Sequence, residues 1–375
     1  MKIVFTGGGT GGHFYPLIAV AQELNELVKE KRLVGVKLYY FSDAPYNSQL
    51  LYENNIEFVA IPAGKLRRYF SLKNLTATVV TGWGIIIALI KLYFIFPDAI
   101  FSKGAYASFP SLWAARLLGI PVIIHESDAH PGRVSLWSGK FARRVAVSYP
   151  EAAAYFPPAR TAVTGNPIRR ELRQPITLGA REFLKLEPNL PTIFITGGSL
   201  GAQAINDVVL DILPELVKKF QIIHQVGDRN FDDVKKRSAL KLENSPERGR
   251  YQVHGTLNTS AMQMIAGVAD LVISRAGSII FEIAIWGTPS IIIPIPEEIS
   301  HDQRHNAFNY ARSGGAIVIE QINLTPSVLL GEINRLLSNP QTLATMKAGA
   351  KSFSRPEAAH LIAYELLNLA LEHEQ

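Results

Sequence analysis

Gly7-Gly8-Gly9-Thr10-Gly11-Gly12-His13-Phe14-Tyr15-Pro16 is the stretch that decides the fold. The apolar run before it, Lys2–Thr6, reads as a buried strand. After it, Leu17, Ile18, Val20, Ala21, Leu24, Leu27 and Val28 recur at helical spacing, and Pro16 suits the first turn of that helix. The glycines therefore occupy a strand-to-helix turn. Backbone without side chains lets a ligand approach closely there, and the helix N-terminus turns free N–H groups and a partial positive charge toward it. His13 brings a titratable group to the same space. Such turns are also ordinary punctuation in α/β folds; Thr10 and His13 set among the glycines make this one more particular.

Working outward, strands and helices alternate along the whole chain, which predicts α/β domains with parallel sheets. Val36–Phe41, Ile56–Ile61, 98–105 (a strand running into a loop), 119–126, Val145–Ser148 and Thr161–Val163 read as the remaining strands of a first sheet, and Gly165-Asn-Pro-Ile-Arg169 as a hinge. The second half then repeats the plan. A strand at Pro191–Thr196 runs into the glycine turn Gly197-Gly-Ser-Leu-Gly-Ala202 and an amphipathic helix, Gln203–Phe220. Residues 270–277 echo 98–105, and 287–293 echo 119–124. Three landmarks in one order predict two Rossmann-like domains, 1–166 and 167–355, facing each other across a cleft at the C-terminal ends of their sheets. The last helix, within 356–375, has no strand after it and is expected to pack back on the first domain.

The chain of 375 residues carries a net charge of +6, unevenly placed. Residues 1–166 hold 17 Lys and Arg against 10 Asp and Glu, whereas 167–375 hold 21 against 22. A basic first half points to an anionic partner: a phosphorylated substrate, an acidic membrane surface or nucleic acid. Residues 65–73 (KLRRYFSLK) are basic and aromatic, but no RNA-binding signature is present, so nucleic acid is not expected. The absence of cysteine excludes disulfides, thiolate metal sites and a Cys nucleophile. With no signal peptide before the first strand, the protein is expected to stay in the cytoplasm.

In the second half, Ser199 and the backbone of its glycine turn make a cradle for a diphosphate, which Arg169 can reach from the side. A surface ion pair is the plainer role for Arg169. Glu282, on the helix after Ser274-Arg-Ala-Gly277, is placed to accept ribose hydroxyls or to be a solvated surface charge. Gln303 and Asn306, one turn apart, can face one ligand together. His301, Asp302 and His305 lack the third element of a metal motif, and Ser108 and Ser199 lack a nucleophile elbow, so neither a metal nor a covalent intermediate is expected.

Residues 79–96, VVTGWGIIIALIKLYFIF, approach the ~18–20 residues that span a bilayer. Three readings fit: a spanning helix, a helix buried on the sheet, or one packed by one face with its other apolar face in the bilayer interface. The third is preferred, because flanking strands exist on both sides and Lys65, Arg67, Arg68 and Lys73 just before it suit anionic headgroups.

Eight motifs in order, GGTGGH at 8–13, GxYxSxP at 104–110, HE at 125–126, GNPxR at 165–169, GGSxGA at 197–202, RAG at 275–277, EIAxxG at 282–287 and DxxxNA at 302–307, resemble the peptidoglycan N-acetylglucosaminyltransferases that convert lipid I to lipid II. The resemblance spans nearly the whole chain. It implies a two-domain GT-B fold, peripheral attachment to the inner face of the plasma membrane, UDP-N-acetylglucosamine as donor, and undecaprenyl-diphosphate-linked N-acetylmuramoyl-pentapeptide (lipid I) as acceptor. It also implies direct inverting displacement with no cofactor or catalytic metal. By motif position, Arg169 and Ser199 would meet the diphosphate, Glu282 the ribose, and Gln303 with Asn306 the sugar. Thr10, Gly11 and Gly12 would line the donor side, while His13, Tyr106 and Glu126 would face the acceptor. His13 is the expected base and Glu126 its rival.

Three positions depart from the family. Ser127-Asp128 stands where it usually has Gln-Asn, making Asp128 a carboxylate at an amide's sugar contact; residues 277–282 are one residue short; and Leu200 replaces a glutamine. The alternatives are a related UDP-sugar transferase acting on another membrane glycolipid, or a non-catalytic nucleotide-sugar-binding protein.

Overall fold

The computed structural model describes residues 1–65, 71, 73–198, 201–298 and 301–374. Its contacts divide the chain into two units, Met1–Arg169 with Arg355–Gln375, and Arg170–Ser354. Among the described residues, the first unit holds seven parallel strands: β1 (Lys2–Thr6), β2 (Lys37–Ser42), β3 (Ile56–Ala60), β4 (Ala99–Ser102), β5 (Val122–Glu126), β6 (Arg144–Val147) and β7 (Thr161–Val163). Their order is β3-β2-β1-β4-β5-β6-β7. Among its described residues the second unit holds six parallel strands: β8 (Thr192–Thr196), β9 (Gln221–Gln225), β10 (Tyr251–His254), β11 (Leu271–Ser274), β12 (Ser290–Ile292) and β13 (Ala316–Val318), ordered β10-β9-β8-β11-β12-β13.

The repeated landmarks of the sequence thus become equivalent positions. β1 and β8 are the central strands where the order reverses, β4 and β11 lie next to them, and β5 and β12 follow. Both sheets carry the doubly wound order, and such sheets bind ligands beyond the C-terminal ends of the strands at the reversal. The central strands are buried on both faces, as helix-covered parallel sheets require.

The helix after β1 runs Gly11–Glu30, earlier than the sequence predicts. Pro16 is therefore its sixth residue and has no N–H to give the Gly12 carbonyl. The helix buries Leu17, Val20, Ala21, Leu24 and Leu27 against Ile362, Ala363, Leu366, Leu367 and Ala370 of the final helix, Ala358–Glu374. Gly165 permits the entry to that helix, since a side chain there would run into Arg355.

Between β3 and β4 lies the helix Lys73–Ile95. It packs by Ala77, Gly84, Ala88 and Leu92, chiefly against the helix Phe109–Leu118. Its opposite face is exposed, with Val79, Trp83, Ile86, Ile90, Tyr93 and Phe94 in solvent. A spanning course would separate β3 from β4, yet both belong to one sheet, with two strands between them.

The second unit buries a polar triad. His224 of β9 lies 3.0 Å from the Tyr251 hydroxyl through Nδ1 and 3.1 Å from Asn206 Oδ1 through Nε2. Burial lowers its pKa from 6.5 to about 3. Below pH 6.5 the unfolded chain binds a proton that the folded state refuses, so stability is complete above 6.5 and lost as pH falls toward 3. At pH 4.5 the loss from this residue is on the order of 3 kcal/mol. His224→Gln, which does not titrate, is expected to flatten the acid-side fall in urea midpoint of the second unit; an unchanged pH slope would count against this origin.

Candidate active site

In the first unit, β1 delivers the chain into the glycine turn. Gly8 is confined by Ser42, Ala107 and Tyr40, and Gly9 takes a left-handed φ of +85° with Tyr106 against it. The Tyr40 hydroxyl donates to the Gly7 carbonyl at 2.6 Å. Thr10 is extended and precedes the helix, whose first residues are Gly11 and Gly12. Its Oγ1 lies 2.9 Å from His13 Nδ1, and its carbonyl accepts from the His13 N–H at 3.2 Å. Burial, and then the charge of Lys103, lower the His13 pKa to about 4, so the ring is neutral at pH 7.

The loop after β4 supplies Tyr106. Its hydroxyl donates to Asp43 Oδ2 at 2.6 Å, and burial followed by Asp43 pushes its pKa up to about 12. Ala105 just before it has φ +65° and ψ 169°, a region essentially reserved for glycine. Relief of that strain outweighs the added freedom of glycine in the unfolded chain. Ala105→Gly is therefore expected to raise stability by about 1 kcal/mol in urea unfolding; a lower midpoint would mean the conformation is not strained.

At the end of β5, His125 and Glu126 are both buried. Glu126 Oε1 accepts from the Asp128 N–H at 3.0 Å and Oε2 from the Gly132 N–H at 3.1 Å. The carboxylate therefore braces the 127–132 loop, in which Asp128 is half-buried. Arg169 is buried, 8 % exposed, with its guanidinium 4.5 Å over the Tyr15 ring.

In the second unit, Gly197 and Gly201 have no room for a side chain, the first against Ala202 and the second against Val226. Thr196 Oγ1 accepts from the Gly198 N–H at 3.0 Å, as Ser102 Oγ accepts from the Gly104 N–H at 3.1 Å in the first unit. Ser199 lies outside the described residues, as do the side chains of His301 and Asp302. Glu282 is half-buried in the first turn of the helix Ile279–Trp286. Gln303 and Asn306 converge on one loop. Gln303 Oε1 accepts from the N–H groups of Ala276 and Ile295, each at 3.2 Å, and Asn306 Nδ2 donates to the Ala276 carbonyl at 3.3 Å.

Lys103 and Asp43 beside these residues escape sequence reasoning, and Arg275 is legible there only as part of the RAG motif. Lys103 ends an apolar run and reads as a boundary residue; its isolation in that run is the one clue. Asp43 hides in the turn-like Ser-Asp-Ala-Pro. Arg275 donates to the carbonyls of Ile293 and Pro294 and to Gln321, with burial lowering its pKa to about 10.

Two doubly wound units, each with a glycine turn at its strand reversal and polar side chains gathered on the neighbouring loops, are the build of a two-domain glycosyltransferase. Residues 3–147 match the glycosyltransferase family 28 N-terminal domain and residues 192–362 the glycosyltransferase family 28 C-terminal domain. The chain belongs to glycosyltransferase family 28. It is 35 % identical, over 96 % of both chains, to the UDP-N-acetylglucosamine–N-acetylmuramyl-(pentapeptide) pyrophosphoryl-undecaprenol N-acetylglucosamine transferase of Treponema denticola. It is 34 % identical to a transferase of the same name, numbered 2, from Bacillus anthracis, covering 97 % of this chain and 99 % of the relative. Among solved structures it resembles MurG of Acinetobacter baumannii, with a TM-score of 0.71 and 27 % identity over 98 % of this chain and 99 % of that one.

Proposed function

We propose that this protein transfers N-acetylglucosamine from UDP-N-acetylglucosamine to the C4 hydroxyl of undecaprenyl-diphosphate-linked N-acetylmuramoyl-pentapeptide, converting lipid I to lipid II. The observation that carries this reading is identity of about a third, along almost the entire length, to relatives named for that transfer. The acceptor oxygen attacks the anomeric carbon, the bond from that carbon to UDP breaks, the hydroxyl proton passes to a base, and UDP leaves with the electron pair. The test is incubation with UDP-N-acetylglucosamine and a lipid I analogue, with a diacylglycerol as competing acceptor. Mass spectrometry should find one added N-acetylhexosamine on the lipid I analogue; transfer only to the competitor, or none, overturns the reading.

His13 is the base in this proposal. In the tautomer whose Nδ1 donates to Thr10, Nε2 is left to take the proton, and the neutral ring is ready for that at pH 7. Both Glu126 oxygens already hold backbone N–H groups, which suits a brace better than a base. Thr10, Gly11 and Gly12 line the donor side, Tyr106 faces the acceptor, Asp128 stands at a sugar contact, and Arg169 with Ser199 meets the donor diphosphate. Glu282 takes the ribose and Gln303 with Asn306 the sugar. His13→Ala should lower kcat by ~10²–10⁴-fold with UDP affinity retained, and the acid limb of wild-type kcat/KM should fall well below pH 6.5. Near-normal kcat in the variant would transfer the role to Glu126.

The exposed face of the helix Lys73–Ile95 suits peripheral attachment to the inner face of the plasma membrane. Trp83 is 58 % and Phe94 78 % exposed, and Trp113 and Leu117 of the adjoining helix extend the apolar surface. Lys65 is exposed before it; Arg67, Arg68 and the Lys73 side chain lie outside the described residues. An apolar face and basic residues together supply the two signals that stable anchoring needs. The protein is expected to sediment with anionic vesicles, bind neutral ones poorly and release partly in high salt. Replacing Trp83, Ile86 and Ile90 with Ser should reduce sedimentation without changing UDP affinity; wild-type protein that ignores vesicles would sink the idea.

A further inference from the structure

Lys103 stands immediately after β4 and is 2 % exposed. Its N–H donates to the Thr6 carbonyl at 3.0 Å, and its Cβ lies so near Gly7 that a side chain there would come within 3.2 Å of it. The lysine therefore starts at the floor of the first glycine turn. Its Nζ ends 2.7 Å from His125 Nδ1 and 3.4 Å from Asn166 Oδ1. His125 Nε2 in turn lies 2.9 Å from the Gly165 carbonyl. That carbonyl can only accept, so Nε2 carries the ring proton and Nδ1 accepts from the ammonium.

Among the described residues, His13, His125, Glu126 and Asp128 are the titratable groups that face this ammonium. Both histidines are held neutral by burial and by Lys103 itself. Glu126 spends its oxygens on backbone N–H groups, so the hydrogen bonds of Lys103 named above go to neutral acceptors. A buried charge so held costs stability that an apolar side chain of equal length would not. What the charge supplies in return is a stiff, charge-assisted tie between two substrate-facing segments.

We propose that Lys103 is a positioning residue for the transfer reaction, its ammonium joining the floor of the first glycine turn, through His125 and Asn166, to the Gly165–Arg169 segment. This rests on the functional reading above. Arg169 takes its place over Tyr15 from that segment, so a looser tie misplaces the guanidinium relative to the helix that begins with the glycine turn. Because burial lowers the lysine's pKa to about 8, with Glu126 and Asp128 opposing, the tie weakens as pH rises through that value.

The test uses the full chain with UDP-N-acetylglucosamine and a lipid I analogue. Lys103→Met should fold at least as stably as wild type at pH 7, lose ~10²-fold in kcat, and keep its KM for the donor. Wild-type kcat/KM should show an alkaline limb near pH 8 that the variant lacks. Nitrogen-15 NMR should show His125 Nδ1 losing its hydrogen-bond donor. Lys103→Ala should regain activity with added ethylammonium, which a merely structural lysine would not allow. Wild-type kcat in Lys103→Met, or lost activity that ethylammonium does not restore together with an unchanged alkaline limb, overturns the proposal. Absence of transfer by the wild-type protein refutes the functional reading itself, whereas wild-type transfer with unaffected variants refutes only the role of Lys103.

Discussion

Everything that bears chemistry in this protein hangs on one constraint: at the strand reversal of each sheet the chain must turn out of a buried strand where no side chain fits. The neighbours of the turn enforce it. Ser42 closes on Gly8, Ala202 on Gly197 and Val226 on Gly201. The turn after β8 also frees backbone N–H groups that the sheet no longer pairs, and the Thr196 hydroxyl takes that of Gly198, as Ser102 takes that of Gly104 beyond β4. A bulkier residue at these glycines would move the loops before it touched any ligand.

The same economy explains why residues that pattern as ligand contacts hold the loops themselves. Irregular backbone beside a buried strand end carries polar groups that water cannot reach, and side chains must satisfy them. Gln303, Asn306 and Arg275 do this for the ends of β11 and β12, and Glu126 for the end of β5. Holding a loop does not exclude binding. Gln303 uses its oxygen on the loop, and its amide nitrogen faces Gly277, where a Cβ would be 4.0 Å away. Donors fixed in this way need not reorganise as charge develops, which is what a preorganised site requires.

How much of this was legible follows from what each signal encodes. Runs such as Ile3–Phe5 and Leu271–Ile273 are apolar because their strands are covered on both faces, so the strands and their repeated order could be read directly. β9, β10 and β13 were not singled out: Gln221 and His224 are polar yet buried, and β10 is a half-buried edge strand. The glycine turns were legible because steric exclusion leaves glycine as the residue that fits. The partners of polar side chains were not, since Lys103 reaching His125 and Asn166 depends on three strand ends meeting, and no local spacing records that.

The long apolar helix shows the limit of composition most clearly, because an average over its length mixes two faces with different partners. Its packed face is small: Gly84 sits against the Pro62 carbonyl, and Gly64 fits against Ala77. Thr81 accepts from the Gly64 N–H at 3.0 Å and donates to the Ala77 carbonyl at 2.8 Å, tying the helix to the segment that follows β3. Large side chains on that face would lift the helix from the unit, so they collect on the other. There they remain exposed, at odds with the usual tendency of monomeric soluble proteins to limit contiguous apolar surface. Gly84, which interrupts the apolar run, therefore lets one face pack closely on the protein while the large side chains stay on the other. A span-length stretch of sequence can thus belong to a crossover helix whose two faces answer to different surroundings.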